Sequence, residues 1–275
     1  MDTNWTNGII KCKDVELFYT RTGGNKPPIV CAHGYTDDGS CWTDLAKELE
    51  KDYDLVMYDA RGHGQSSRIT VDMDIDMVAD MHCIISELGL QKPAIIGHSM
   101  GAATAAGYAG VHPEQVSAII LEDVPWFNQP PVPRKDNKHG KPRNIIADVQ
   151  KGSLKEAIAF SKQYNPGFRD SVHACWASSK MKFDMTYQQR KWPETPRWQE
   201  IAAKISCPTL LLTGEVEKGA LVTPALAIEA LKLIPKAEWS WIAGAPHCIR
   251  YEKFDATMRA VKTFLKMNYP ATAKK

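Results

Sequence analysis

The chain has 275 residues, of which 44% are hydrophobic and 24% are charged, proportions that are ordinary for a globular protein. A formal net charge of +2 is too small to indicate a polyanionic partner such as nucleic acid. A membrane helix needs about 18 consecutive apolar residues, and the sequence has no such run. The polar first eight residues lack the apolar centre of a signal peptide. We therefore expect neither a membrane span nor a nucleic-acid partner.

The seven cysteines are scattered, odd in number and never spaced as C-x-x-C. Most of them lie among apolar residues, where a thiol packs like a small hydrophobic group. This pattern predicts neither a disulfide framework nor a zinc site, and no other metal is expected. Unpaired thiols favour a reducing compartment, so the sequence predicts a cytoplasmic location.

Short apolar runs alternate with longer helical patterns over the first 122 residues. The runs predict β-strands at 15–19, 29–32, 55–58, 94–96 and 118–121. Helices are predicted between them, at 41–49, 75–88 and 99–112. Strands that alternate with helices indicate an α/β fold, with a mostly parallel β-sheet flanked by helices on both sides.

The rhythm of the sequence changes at Pro125, where a proline-rich stretch is followed by helical segments rich in Trp, Tyr and Met. Strands resume at 209–212 and 238–242, with helices at 224–233 and 254–265. We therefore predict a core domain in two parts, 1–124 and 207–275, interrupted by a helical insertion at 125–206. Such an insertion lies over the carboxyl edge of the sheet, where open α/β folds bind ligands.

A G-x-S-x-G motif occupies residues 97–101, directly after the predicted strand at 94–96 and at the start of a predicted helix. A tight turn from strand to helix lifts the hydroxyl of Ser99 above the sheet edge, and the flanking glycines avoid a steric collision. The free N–H groups of the helix start then point at the reacting atoms. This context predicts that Ser99 is a nucleophile.

The base that would activate Ser99 is predicted to be His247. It lies beyond the last predicted strand, in a Gly-Ala-Pro-His loop that returns to the sheet edge carrying Ser99. The other seven histidines lie within other motifs, the insertion or predicted helices, and we expect them to be structural.

Four landmarks in the sequence resemble those of bacterial α/β-hydrolases with a helical cap. They are Ala-His-Gly-Tyr at 32–35, Asp-Ala-Arg-Gly-His-Gly at 59–64, the Ser99 motif, and Gly-Ala-Pro-His at 244–247. The resemblance covers nearly the whole chain and implies the α/β-hydrolase fold. Members of this family include carboxylesterases, lactonases such as acyl-homoserine lactonases, carbon–carbon bond hydrolases and cofactor-free haloperoxidases, so the substrate stays open.

The resemblance also implies roles for further residues. The backbone N–H groups of Tyr35 and Met100 would form the oxyanion hole. The acid that orients His247 would be Glu217, three residues after Gly214 at the end of a strand. Many members have Asp at that place, and some take the acid from the strand before the insertion, which makes Asp123 the alternative.

The predicted activity is hydrolysis of a small carboxylic ester or lactone through an acyl-enzyme, with no cofactor. Tyr35 is expected to line the acyl pocket together with Trp126 and Phe127, which follow a strand end and should overhang Ser99. The same triad could cleave a carbon–carbon bond or form peracids, as a haloperoxidase or perhydrolase does. A ligand receptor built on a hydrolase scaffold is an alternative from a different functional class.

Overall fold

The computed structural model describes residues 5–127, 144–190 and 197–271. It contains an eight-stranded sheet made of β1 (Thr6–Cys12), β2 (Val15–Arg21), β3 (Pro28–Ala32), β4 (Asp54–Tyr58), β5 (Ala94–His98), β6 (Ala118–Glu122), β7 (Thr209–Thr213) and β8 (Ala237–Trp241). The strand order is β1-β2-β4-β3-β5-β6-β7-β8. The pairs β1–β2 and β2–β4 are antiparallel, and the other neighbouring strands are parallel. The predicted mostly parallel sheet is confirmed, although the sequence did not indicate β1.

The central strands are buried on both faces of the sheet, which explains their continuous apolar sequences. Side chains alternate between two cores: Val30 and Ala32 of β3 face one, and Ile29 and Cys31 face the other. The edge strand β8 is more exposed.

Helices of the described residues cover both faces of the sheet or lie in the segment between β6 and β7. They are α1 (Thr43–Leu49), α2 (Met77–Glu87), α3 (Met100–Val111), α4 (Ile145–Gln150), α5 (Leu154–Tyr164), α6 (Asp170–Lys182), α7 (Trp198–Ala202), α8 (Pro224–Leu233), α9 (Ile249–Glu252) and α10 (Phe254–Asn268). Buried residues of α2, α3 and α8 join one core, and those of α1 and α10 join the other. A 3₁₀ turn at Gly39–Trp42 takes the place of the start of the helix predicted at 41–49.

The chain between β6 and β7 contains the helices α4 to α7. Apolar residues of α4, α5 and α6 form a third cluster that includes Trp176 and Ala177 of α6 and also Cys41 and Tyr251 from outside this segment, whereas those of α7 join the main core. The segment therefore packs directly onto the sheet domain. The boundaries predicted for an insertion, 125 and 206, stay a prediction, since residues 128–143 and 191–196 lie outside the described residues.

The prediction that the cysteines stay unpaired is wrong for Cys12 and Cys83, which form a disulfide. Strand β1, which the sequence did not reveal, brings Cys12 beside α2 even though 71 residues separate the two cysteines. Disulfides persist mainly in oxidising compartments. The argument from unpaired thiols to a cytoplasmic location therefore loses its support. Within the described ranges, each helix falls short of the length and apolar character that a membrane crossing requires.

Replacing both Cys12 and Cys83 by alanine should lower the free energy of unfolding by about 4 kcal/mol, because the unfolded chain loses a long covalent loop. Urea denaturation measures the change. Dithiothreitol should shift the wild-type midpoint in the same direction and leave the double variant where it is. A wild-type midpoint that does not respond to the reductant would contradict a stabilising disulfide.

Candidate active site

Ser99 lies in a tight turn between β5 and α3, at the carboxyl edge of the sheet. Its backbone has a φ of 51° and a ψ of −116°, a left-handed conformation that is strained for any residue except glycine. Both flanking positions require glycine, because a side chain there would collide with neighbouring backbone. A Cβ on Gly97 would lie 2.3 Å from the Gly101 carbonyl oxygen, and one on Gly101 would lie 2.1 Å from that of Ala32. The turn therefore has the geometry expected of a nucleophile elbow.

Asp123 follows the adjacent strand, β6. The Ser99 N–H donates to the carbonyl oxygen of Glu122 at 2.9 Å, which places Asp123 beside the turn that carries Ser99. The Asp123 side chain is fully buried and its φ of 45° is also left-handed. Its carboxylate accepts hydrogen bonds from the backbone N–H groups of Leu221 and Val222. These bonds fix the orientation of the carboxylate.

His247 lies in the loop between β8 and α9 and contacts Asp123. Its Nδ1 is 2.6 Å from Oδ2 of Asp123. Because an ionised carboxylate only accepts hydrogen bonds, Nδ1 carries the proton, and Nε2 is the nitrogen left to accept one. The side chain is 31% exposed, whereas that of Asp123 is fully covered. The pair has the geometry of a base with its orienting acid.

The prediction that Glu217 contacts His247 is wrong, and the alternative residue, Asp123, makes the contact. Glu217 is exposed and lies in a 3₁₀ turn, Val216–Lys218, on the surface. The loop leaves the sheet edge at Glu215, whose carboxylate accepts from the Gly244 N–H at 2.7 Å. That bond holds the base-bearing loop in place, while the next two residues turn outward.

The two N–H groups predicted to form an oxyanion hole belong to Met100, which directly follows Ser99, and to Tyr35. Met100 is the first residue of α3, where N–H groups have no partner within the helix. Tyr35 lies in the loop after β3, and this loop packs against His98, since a Cβ on Gly34 would lie 2.7 Å from His98 Nδ1.

His33 supports this loop. Its Nε2 accepts from the Ala60 N–H at 2.9 Å, and its Nδ1 donates to the Gly34 carbonyl oxygen at 2.8 Å. Burial lowers the pKa of His33 to about 4, so the imidazole is neutral at neutral pH. The structural role expected of this histidine agrees with these contacts.

The rings expected to line a pocket lie in different surroundings. The half-buried ring of Tyr35 meets Phe183 edge-on, with ring centroids 5.2 Å apart. Trp126 is only 3% exposed, belongs to the main core and stacks on Trp198 at 4.9 Å. So little of its surface is left that a ligand could hardly reach it. Phe127 is 37% exposed.

A buried network of charges lies behind the candidate triad and was not predicted from the sequence. It consists of two carboxylates and two cations, Asp37, Glu122, Lys180 and Arg250, each 4% exposed or less. Its two ion pairs join residues that are far apart in the sequence, with separations of 143 and 128 positions. No short sequence motif therefore indicates them. Groups of three or more side chains able to hold a metal do not occur within the ranges that the structure describes.

Comparison with known proteins shows which family the chain belongs to. Residues 27–254 match the family model described as the alpha/beta hydrolase fold. Esterase YbfF of Escherichia coli (strain K12) is 24% identical, covering 88% of this chain and 94% of the esterase. A non-heme chloroperoxidase of Burkholderia pyrrocinia is 25% identical, and the alignment covers 85% of this chain and 90% of the chloroperoxidase. The structure of the thioesterase domain from the curacin biosynthetic pathway superposes with a TM-score of 0.74 at 20% identity, over 95% of this chain and 99% of the thioesterase chain. At this identity the likeness is one of fold alone.

Proposed function

Because the chain belongs to the α/β-hydrolase family, we propose that it hydrolyses a small carboxylic ester or lactone, with Ser99 as the nucleophile, His247 as the base and Asp123 as the orienting acid. The observation that carries the proposal is the 2.6 Å contact between His247 Nδ1 and Asp123, at the sheet edge where the Ser99 turn lies. The relative named as an esterase supports the choice of an ester bond.

The proposed reaction begins at the hydroxyl of Ser99. His247 Nε2 takes the proton of the Ser99 hydroxyl as the Ser99 oxygen attacks the carbonyl carbon of the substrate. The N–H groups of Tyr35 and Met100 donate to the negative oxygen of the tetrahedral intermediate. The alcohol leaves with the proton from His247, and the acyl group stays on Ser99. Water, deprotonated by His247, then releases the carboxylic acid and restores the enzyme.

Asp123 stabilises the imidazolium that forms when His247 takes the proton. Its buried carboxylate keeps Nδ1 protonated, so that Nε2 faces the reaction. Because Leu221 and Val222 hold this carboxylate by backbone N–H groups, the pair needs little rearrangement during turnover.

We place the acyl pocket beside Tyr35. Phe183 and Tyr187 contact the ring of Tyr35, and partly buried Ile146 and Met185 belong to the same apolar cluster. This arrangement supports the role of the segment 125–206 as a cap over the site and favours an apolar acyl group. Phe127, being exposed, stays a candidate for the outer wall of the pocket, and Trp126 does not.

The test is a panel of p-nitrophenyl esters of increasing acyl length together with acyl-homoserine lactones, assayed for release of acid. We expect turnover of at least one class, with the best acyl length set by the apolar cluster around Tyr35. Adding hydrogen peroxide to an active ester reaction shows whether peroxide replaces water as acceptor of the acyl group. Absence of acid release across the panel, with strong thermal stabilisation by one of the compounds, would contradict the proposal and favour a receptor.

A further inference from the structure

The residues that immediately precede the nucleophile and the acid both bind the segment that carries His247. His98, before Ser99, donates its Nε2 proton to the carbonyl oxygen of His247 at 3.2 Å. Glu122, before Asp123, accepts from the backbone N–H of Arg250 at 2.9 Å. The base segment is therefore held by two bonds, one from the end of each strand that presents a partner of His247.

The contact of Glu122 with Arg250 is double. One carboxylate oxygen accepts from the Arg250 backbone, and the other accepts from Nη1 of its guanidinium at 2.6 Å. Both side chains are buried. Burial alone would lower the pKa of Arg250, but the carboxylate of Glu122 raises it above its ordinary value, so the guanidinium stays charged. Neither the backbone nor the side chain of Arg250 can move without losing a bond to Glu122.

Two further contacts hold the guanidinium. It lies 3.8 Å from the ring centre of Trp42, and its Nη2 donates to the Tyr251 hydroxyl at 3.3 Å. The Tyr251 hydroxyl donates in turn to Asp37 at 2.8 Å, and Asp37 pairs with Lys180 of α6. The chain of contacts therefore runs from the strand before Asp123 to the helices between β6 and β7.

His98 completes the arrangement as a neutral donor. Burial lowers the pKa of His98 well below its ordinary value, and the neighbouring Arg250 guanidinium lowers it further, against the opposing charge of Asp37. Its ring centroid is 4.8 Å from that of His247. A neutral ring next to His247 donates a hydrogen bond without adding a fixed charge beside the base.

Stability alone gives a weak reason for burying this ion pair. Removing two charges from water costs free energy that their attraction often fails to recover, and well-packed apolar residues can replace such a pair without loss of stability. What apolar residues cannot supply is the pair of directed bonds that fixes Arg250, three residues after His247.

We propose that Glu122 and Arg250 are positioning residues for the hydrolysis, which hold the His247 imidazole against Asp123 and within reach of Ser99. The proposal rests on the proposed function of the same site. It predicts that breaking the pair harms the chemical step and the contact between His247 and Asp123 more than it harms folding or substrate binding.

The test compares variants of this pair by kcat, KM and the downfield proton resonance of a histidine N–H bonded to a carboxylate. Glu122→Ala should lower kcat by about 10²-fold, the loss that a small misplacement of a catalytic group causes, with KM nearly unchanged. Glu122→Gln keeps an oxygen for the Arg250 N–H and should retain more of kcat than Glu122→Ala. The resonance should weaken or disappear in Glu122→Ala.

A double variant, Glu122→Leu with Arg250→Met, guards against loss of folding, since it leaves no unpaired buried charge. It should melt near the wild type and still lose about as much kcat as Glu122→Ala. The matched control is Asp54→Asn, which breaks the pair of Arg21 with a buried carboxylate at the opposite edge of the sheet and should leave kcat and the resonance unchanged.

A folded double variant with wild-type kcat and an intact resonance would overturn the positioning role. The resonance needs no substrate, so it separates this proposal from the proposed function. A wild type that shows the resonance but cleaves no ester counts against the proposed function alone. A resonance equally strong in the wild type and in the Glu122 variants counts against positioning, even where ester is cleaved.

Discussion

Ser99→Ala should lower kcat for ester hydrolysis on the order of 10⁶-fold, the loss seen when the serine of a comparable triad is removed. The substitution deletes one hydroxyl at the carboxyl edge of the sheet. Alanine keeps the Cβ and the left-handed backbone, so the fold should persist. A fluorophosphonate should label the wild type on Ser99 and leave the variant unlabelled, as mass spectrometry of the digested protein would show.

Ser86 provides a matched control, because its hydroxyl lies 3.5 Å from His82 Nε2 on the surface of α2, outside any elbow. Ser86→Ala should retain both labelling and kcat. Both variants should melt near the wild type. Substantial ester hydrolysis by Ser99→Ala, or a label attached elsewhere, would show that another group is the nucleophile.

Asp123→Asn should lower kcat by about 10⁴-fold, as the corresponding change does in a Ser-His-Asp protease. An amide in that place can donate to His247, which favours the wrong tautomer and leaves the imidazolium without a counter-charge. Glu217→Gln should cost less than about tenfold in kcat, or less than about 1.4 kcal/mol in activation free energy, since Glu217 is exposed and turned away from the base loop.

The opposite ranking, a crippled Glu217→Gln beside a nearly active Asp123→Asn, would reassign the acid. Thermal melts must accompany both measurements, because Asp123 also accepts backbone hydrogen bonds from Leu221 and Val222. The amide oxygen of asparagine can keep part of these bonds. We therefore expect the loss of kcat in Asp123→Asn to exceed any effect of the change in melting temperature.

The turn that carries Ser99 and the sheet could be predicted from the sequence because both depend on local patterns. Continuous apolar strands and the G-x-S-x-G turn are written in consecutive residues, and the strained Ser99 turn lies where that motif indicated. His247 followed from its place after the last strand. Edge strand β1 escaped prediction because its exposed, polar residues give no continuous apolar run.

The acid could not be decided from the sequence, because Asp123 and Glu217 both follow strands that end at the same sheet edge. The difference lies in the course of two loops. Asp123 adopts a left-handed backbone that keeps its side chain buried, whereas the bond from Gly244 to Glu215 turns the following residues to the surface. The disulfide and the Glu122–Arg250 pair escaped prediction for a related reason, since each joins residues far apart in the chain.

The bonds that orient Asp123 have a consequence for how this protein could be altered. The acid stands before the helical segment, and the N–H groups that hold it, at Leu221 and Val222, come after the strand that follows the segment. Strands β6 and β7 are also paired directly with each other. The chain before the helical segment and the chain after it therefore meet in the sheet, whatever the length of the segment between them. Under the proposed function, much of substrate selection would be encoded in a stretch of the chain separate from the residues of proton transfer. Much of the segment could be exchanged for that of a relative, with Lys180 retained for its pairing with Asp37, and new specificities could be sampled on an unchanged triad.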